Sequence, residues 1–193
     1  ENEIYTFIDQ HNIKFPKKAF LNKDDLLQFY DTFTLDSQRN DSISVLTISA
    51  NVLSITLPLL NSVLKSISVD LNNCVFTSID GILYSKSLDT ILCFPAQHNF
   101  SSYDIPTSVT SISDLAFSNC YKLQSITIPT SVTSIGNSAF SYCKNLRSIA
   151  IPTSVSSIGD SAFSNCYKLQ SITIPTSVTS IGDSAFSHCK NLQ

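Results

Sequence analysis

A period of 23 residues runs through the second half of this chain. From residue 103 onward, prolines, phenylalanines and cysteines each return in phase through four copies. The positions are Pro106, Pro129, Pro152 and Pro175, then Phe117, Phe140, Phe163 and Phe186, then Cys120, Cys143, Cys166 and Cys189. A repeat of about 20 to 29 residues is typical of a solenoid in which each copy adds one coil. The period therefore predicts a stacked repeat array.

Alternating apolar side chains predict a short strand in each copy. In the run LQSITIP, Ile126 and Ile128 are expected to point inward on either side of Thr127. Pro129 ends the strand because proline has no amide hydrogen for the ladder.

Two further elements are expected in the rest of each coil. Val132 and Ile135 form a second inward pair. Asp160 is placed to cap a single helical turn that carries Ala162 and Phe163 inward. Each copy is thus expected to combine strands with one helical turn.

The consensus C-x-x-L-x-x-I-x-I-P-x-x-V-x-x-I-x-x-x-A-F, which runs from Cys120 to Phe140, resembles the BspA-type (treponemal) leucine-rich repeat. The resemblance covers residues 103–193 closely. It covers residues 74–102 more loosely, where CVFTSIDGILYSKSLDTILCFP is similar to the hairpin-bearing repeat of this family.

This resemblance implies both a fold and a function. The implied fold is an α/β repeat solenoid with a parallel β-sheet on the concave face and with short strands, turns and single helical turns on the convex side. Bacterial and protist members of the family are cell-surface or secreted proteins that adhere to host matrix or to other cells.

The N-terminal region differs from the repeats in its charge. Nearly half of the charged side chains lie within residues 1–41, where apolar residues at helical spacing predict a small helical N-terminal cap. We therefore expect a cap at 1–41, degenerate leucine-rich repeats with a hairpin-bearing unit at 42–102, and regular 23-residue repeats at 103–193, truncated in the last unit.

Net charge and hydropathy narrow the classes of partner. The formal net charge is −3, so the basic stripe of a nucleic-acid-binding protein is not expected, and neither is a nucleic-acid partner. Residues 42–64 carry no charge and have the length of a membrane span, but they are rich in Ser, Thr and Asn and contain Pro58. We interpret them as strands and turns and expect no membrane span in this segment.

The six cysteines allow two interpretations. In a chain that resembles surface proteins they indicate a disulfide framework. Stacking at a 23-residue spacing instead holds the Cβ vectors of equivalent cysteines parallel, which favours a ladder of buried thiols. A metal site would need Cys or His pairs about two to four residues apart, so we expect no metal.

The sequence contains no catalytic constellation. His11, His98 and His188 stand in three unrelated contexts, and no Gly-rich phosphate loop is present. A nucleophile needs a base within hydrogen-bond reach and a third group that positions it. We therefore expect a non-enzymatic protein without a cofactor.

The side chains between the inward ones of each strand define a candidate ligand-binding face on the concave side. They are Gln124, Thr127, Arg147, Ala150, Gln170 and Thr173. This face is small, polar and nearly uncharged, which suits a broad contact with a protein or glycan ligand. The alternative is a merely solvated sheet.

An alternation with a period of two repeat units marks one rim of this face. Tyr121 and Tyr167 follow the repeat cysteine in odd copies, where Lys144 and Lys190 stand in even copies. Because tyrosine is a favoured interface anchor, the two tyrosines are candidate rim anchors. Duplication of a two-unit block explains the alternation equally well.

Two classes of function remain open. The first is a cell-surface or secreted adhesion module, which the resemblance favours and which the glycosylation sequons at Asn40 and Asn99 support. The alternative is an intracellular leucine-rich repeat scaffold or regulator in the cytoplasm, favoured by cysteines that are predicted to be reduced.

The chain starts at Glu1 without a recognisable secretory signal, so we expect its numbering to start inside a processed protein. Its last copy stops at KNLQ, before the strand that follows in earlier copies, which predicts a fragment of a longer array. We expect the open C-terminal edge to fray or to allow end-to-end self-association.

Overall fold

The protein folds as a parallel β-solenoid. The structure is a computed structural model and describes residues 45–48, 50–55 and 64–193. The strands are β1 (Val45–Ile48), β2 (Ser66–Val69), β3 (Phe76–Ile79), β4 (Ile82–Ser85), β5 (Thr90–Cys93), β6 (Ser102–Asp104), β7 (Ser111–Ile112), β8 (Ser125–Thr127), β9 (Ser134–Ile135), β10 (Ser148–Ala150), β11 (Ser157–Ile158), β12 (Ser171–Thr173) and β13 (Ser180–Ile181).

One parallel sheet is built from the predicted inward strands. Its order is β12-β10-β8-β6, so each coil contributes one strand. The register is a shift of one full repeat, with Ser125 opposite Ser102 on one side and opposite Ser148 on the other. Equivalent residues of successive copies therefore lie side by side.

A second sheet runs along another side of the coils. Its order is β13-β11-β9-β7-β5-β4-β3, and its regular part consists of the two-residue strands. The sheet continues into an antiparallel hairpin of β3 and β4, whose turn residues Asp80 and Gly81 have φ of 51° and 79°. Positive φ at both central residues is characteristic of a type I′ turn, whose twist matches the twist of paired strands. The predicted hairpin-bearing repeat is thus present.

The inward positions form one continuous hydrophobic core. Ile126 and Ile128 are buried while Thr127 between them is exposed, and Val132 and Ile135 are also buried. The predicted register of the strands is confirmed.

A ladder of phenylalanine rings runs through this core. Phe117, Phe140 and Phe163 are fully buried, and successive ring centroids from Phe94 to Phe186 lie 5.0 to 5.4 Å apart. Stacked strands lie about 4.8 Å apart, so the ring spacing follows the rise of one coil. The predicted core positions of Phe140 and Phe163 are confirmed.

The predicted helical turns are wrong for the described residues, which contain no helix. Ser161 and Asn165, at the two ends of the expected turn, have positive φ of 54° and 61°. Between them the amide of Ala162 donates to the carbonyl three residues earlier, whereas the amide of Phe163 donates to the oxygen of Ala185 in the next coil at 2.7 Å. An α-helix keeps its amide bonds within one segment. Bonding to the next coil therefore replaces the helix with consecutive turns.

Asp160 consequently does not cap a helix. Its Oδ1 accepts a hydrogen bond from the amide of Asp183 at 2.8 Å, and its own amide donates to Oδ1 of Asn137 at 2.8 Å. Gly159 precedes it because a Cβ there would lie 2.6 Å from the nitrogen of Asn137. The Gly-Asp pair is a connection between coils.

The region before the hairpin contains one more pair of parallel strands. β1 pairs with β2, with Val45 opposite Ser66, and Leu46 and Ile67 belong to a second hydrophobic cluster. These two segments were predicted to be degenerate coils.

The predicted helical cap at 1–41 lies outside the described residues. Across residues 45–48, 50–55 and 64–193, no helix is long and apolar enough to cross a membrane. The division of the chain at residues 42 and 103 stays a prediction.

All six cysteines are thiols. Cys120, Cys143 and Cys166 are buried, and each Sγ donates to the carbonyl of a phenylalanine in the coil before, at 3.5, 3.1 and 3.2 Å. Burial raises the pKa of the Cys120 thiol. The buried thiol ladder is confirmed for these three residues, while Cys189 in the last coil is half-buried and Cys74 is exposed.

We expect Phe163→Ala to lower the free energy of unfolding by about 3 to 5 kcal/mol, because it empties a site between two stacked rings. Urea unfolding measures the loss. Tyr142→Ala, whose ring is exposed, should cost less than about 1 kcal/mol and serves as the control. Equal losses for the two variants would contradict the phenylalanine ladder.

The thiols should differ in their reactivity. In the native protein a maleimide should label Cys74 quickly, whereas Cys120, Cys143 and Cys166 should react only after denaturation, because they are buried and hydrogen-bonded. Mass spectrometry of labelled peptides reads out each site. A native Cys143–Cys166 disulfide in the spectrum would refute the assignment.

Candidate interaction surface

The outer side of the four-stranded sheet carries the predicted ligand-binding residues, and we call it the sheet face. All six are exposed: Gln124, Thr127, Arg147, Ala150, Gln170 and Thr173. Thr127, Ala150 and Thr173 are register partners and form one row along the solenoid. The other three form a second row, in which the amide of Arg147 donates to Gln124 at 3.1 Å and the amide of Gln170 donates to Arg147 at 3.0 Å.

Small polar groups dominate the sheet face. Between its two rows stand the exposed serines of the same strands, among them Ser125, whose hydroxyl donates to the hydroxyl of Ser102 at 2.8 Å. Asp104 continues the row of Thr127, and Arg147 stands in the other row. The sheet face therefore offers many hydrogen-bonding groups and few charges.

The predicted rim anchors lie in a column with two lysines. Tyr121, Lys144, Tyr167 and Lys190 occupy the same position of successive copies. Lys144 Nζ lies 5.2 Å from the ring centroid of Tyr121 and 6.0 Å from that of Tyr167, and Lys190 Nζ lies 5.3 Å from Tyr167. Such cation–π contacts contribute about 0.5 to 1 kcal/mol at exposed sites. The alternation in the sequence is thus an alternating stack of rings and cations.

Both rim tyrosines are also held through their hydroxyls. Tyr121 donates to Oδ1 of Asn119 at 2.8 Å, and Tyr167 donates to Oδ1 of Asn165 at 3.1 Å. Partial burial raises the pKa of the Tyr121 hydroxyl. The rings are therefore fixed parts of the rim.

Sequence reasoning missed the role of Lys144. Its Nζ is surrounded by three rings, since Tyr142 lies 5.9 Å away in addition to Tyr121 and Tyr167. The 23-residue register was the available signal, because it places the residues after neighbouring repeat cysteines side by side.

His98 makes packing contacts and hydrogen bonds within the hairpin-bearing part of the solenoid. Its ring packs against Phe94 and Phe100, with centroids 5.1 and 4.3 Å away. Nδ1 accepts the amide of Phe100, so Nε2 carries the proton and donates to the oxygen of Asp80 at 2.8 Å. This histidine serves packing and loop structure.

Two further polar residues of the described ranges, His188 and Asp114, lie in separate structural settings. Within the described ranges, no cluster of three or more His, Cys, Asp or Glu side chains is placed to hold a metal ion. His188 is exposed at a turn position with φ of 59°, and Asp114 accepts the amide of Asn137 in the coil-to-coil connection.

The last coil exposes apolar side chains in the chain as given. Ile174 is 38% exposed and Ile181 is 48% exposed, whereas their equivalents Ile151 and Ile158 are covered by the next coil. End-to-end self-association through this edge stays a prediction.

Comparison with known proteins connects this geometry to a family. The family model described as the BspA type leucine-rich repeat region matches residues 91–193 in 6 copies. No curated protein sequence matches the chain.

Solved bacterial structures share the fold. A leucine-rich repeat protein from Eubacterium ventriosum is 29% identical with a TM-score of 0.74, over 78% of this chain and 41% of that one. The pneumococcal vaccine antigen PcpA is 26% identical with a TM-score of 0.75, over 78% and 38%. A leucine-rich cell surface protein from Faecalibacterium prausnitzii is 28% identical with a TM-score of 0.62, over 79% and 47%. The chain thus spans less than half the length of these three proteins.

The 23-residue register, the coil-to-coil ladders and the six matched copies lead to one conclusion about family. This chain belongs to the BspA-type leucine-rich repeat proteins.

Proposed function

We propose that this chain is a non-enzymatic adhesion module, on the cell surface or secreted, that contacts host matrix or other cells. The proposal rests mainly on the geometry of the sheet face. Its six predicted residues are exposed and stand in two rows that follow the solenoid.

The sheet face suits a broad contact because it is rigid. Strands β8 and β10 are paired on both sides, so the backbone beneath Thr127 and Ala150 is fixed before binding. Binding to fixed, small side chains loses less conformational entropy than binding to long mobile ones. The polar composition favours hydrogen bonds to a protein or glycan partner.

Two observations support an extracellular location. Two of the similar solved proteins are named as a cell surface protein and as a vaccine antigen. Asn99 and Ser101 of the second sequon are exposed, so this Asn is accessible to glycosylation. The first sequon, at Asn40, lies outside the described residues.

One observation favours the alternative of an intracellular scaffold or regulator in the cytoplasm. All six cysteines are thiols, and one of them, Cys74, is exposed. Disulfides persist in oxidising compartments and are rare in the cytosol, so a chain of thiols is also compatible with the cytosol.

Ala150→Glu should weaken adhesion about tenfold, because it places an unpaired carboxylate at the centre of the sheet face. The measurement is binding of the purified chain to plates coated with solubilised extracellular matrix. Ala150 is exposed, so the melting temperature should not change.

Ser156→Glu is the matched control, since Ser156 is exposed on a different part of the coil and gains the same charge. Its binding should equal that of the unsubstituted chain. If both variants bind as well as the unsubstituted chain, the sheet face is not the contact surface.

Antibody labelling of the source cells separates the two locations. Labelling of intact cells is expected for the adhesion module. Labelling that requires permeabilised cells would instead support the intracellular alternative.

A further inference from the structure

The charges of the regular repeats are segregated to different parts of the coil. All five basic side chains of residues 103–193 lie between the repeat cysteine and the following strand of the four-stranded sheet. They are Lys122, Lys144, Arg147, Lys168 and Lys190. Of the four acidic side chains in the same range, three follow the strands of the other sheet and the fourth is Asp104. We call the segment of the five cations the basic edge.

Stacking of the coils brings the segments that carry these cations side by side, with the cations at the first, second or fourth residue after the repeat cysteine. Each regular copy contributes one or two of them, and successive coils are about 4.8 Å apart. The side-chain amide of Asn145 donates to the backbone oxygen of Tyr121 at 2.5 Å, and that of Asn191 donates to the backbone oxygen of Tyr167 at 2.8 Å. These bonds hold the segment of one coil against that of the next. The basic edge is therefore a band of positive charge along a rigid support.

Two of the cations are oriented by aromatic rings. Lys144 Nζ lies between the rings of Tyr121 and Tyr167, and Lys190 Nζ lies 5.3 Å from Tyr167. A free lysine loses rotamer freedom when it binds an anion. Here the rings restrict the side chains beforehand while the ammonium groups keep their donors, so less freedom is lost on binding.

The cations are not neutralised by nearby carboxylates. Among the residues that the structure describes, none of the five forms an ion pair. Lys122 Nζ donates to the backbone oxygen of Gln97 at 3.2 Å, which leaves its charge uncompensated. An exposed row of uncompensated positive charge attracts a polyanion.

We propose that the basic edge binds a linear acidic polysaccharide whose sulfates or carboxylates pair with the cations of successive coils. This inference deepens the proposed function, and it rests on the extracellular location because such polymers are matrix components. It assigns a second contact surface that adjoins the sheet face and shares Arg147 with it, with Tyr121 and Tyr167 as positioning residues.

Two other polyanions fit the basic edge less well. A single-stranded nucleic acid binds by stacking its bases on exposed ring faces. Lys144 and Lys190 lie over the ring of Tyr167 at 6.0 and 5.3 Å, and Lys144 lies over the ring of Tyr121 at 5.2 Å, so lysines compete with bases for these rings. An acidic peptide would use apolar pockets or a free strand edge for specificity. The neighbours Gln124, Asn145 and Gln170 are polar instead.

The experiment measures retention on heparin, with hyaluronan as the carboxylate-only polymer and dextran as the neutral one. The unsubstituted chain should bind heparin, hyaluronan or both at low salt, and this binding should weaken as the salt concentration rises. It should not bind dextran. The double variant K144Q/K190Q should bind about tenfold more weakly. Both lysines are exposed, so the variant should stay folded, and the loss of their cation–π contacts should lower the melting temperature only slightly.

The matched control is K65Q/K86Q, which removes the same charge from two exposed lysines outside the basic edge. Its binding should equal that of the unsubstituted chain. Equal weakening of both double variants would show a net-charge effect and overturn the proposal, as would the absence of binding to both acidic polymers.

Two competitors decide the chemical class. Polyglutamate and a single-stranded oligothymidylate of matched charge should displace heparin or hyaluronan at least tenfold less effectively than the polysaccharide itself. Equal displacement by either one would overturn the assignment to a polysaccharide.

The variant Ala150→Glu distinguishes the failure of this inference from the failure of the proposed function. Loss of matrix binding in K144Q/K190Q but not in Ala150→Glu would refute the sheet face as a contact surface and would leave the basic edge supported.

Discussion

The contact between one coil and the next is the interaction on which the whole structure depends. Amides of alternate turn residues, such as that of Phe163, donate to the following coil instead of their own. The phenylalanine rings, the cysteine thiols and the Gly-Asp connections also join equivalent or nearly equivalent residues of neighbouring copies. A single copy therefore has no core of its own, and stability comes from stacking. Where no further coil follows, Ile181 becomes exposed.

The same stacking turns every exposed position into a row. Thr127, Ala150 and Thr173 form a row of small side chains on the sheet face, and Tyr121 and Lys144 begin the row of rings and cations beside it. Repetition therefore produces surfaces with regularly spaced, identical or alternating groups. Such surfaces fit partners that are themselves extended and repetitive, because many weak contacts then act together.

Net charge was a poor guide to this surface. The value of −3 is that of the whole chain, with a charged N-terminal region that contributes nearly half of the charges. Within the repeats, the basic residues lie in one segment of the copy, and three of the four acidic residues lie in another. The basic residues therefore share one segment of the copy although the net charge gives no indication of it, and electrostatic recognition depends on where charges lie.

The sequence by itself determined the period, the family and the inward positions, since alternation around Thr127 and the recurrence of Phe163 need no knowledge of neighbouring coils. It also indicated thiols, because parallel stacking separates the sulfurs. Only the tertiary structure decided the turns after Gly159 and the ring contacts of Lys144. Local pattern predicted a capped helical turn there, but hydrogen bonds to the next coil stabilise positive φ at Ser161 instead. The physical reason is the same in both cases: the partners are about one repeat away in sequence and meet only when coils stack.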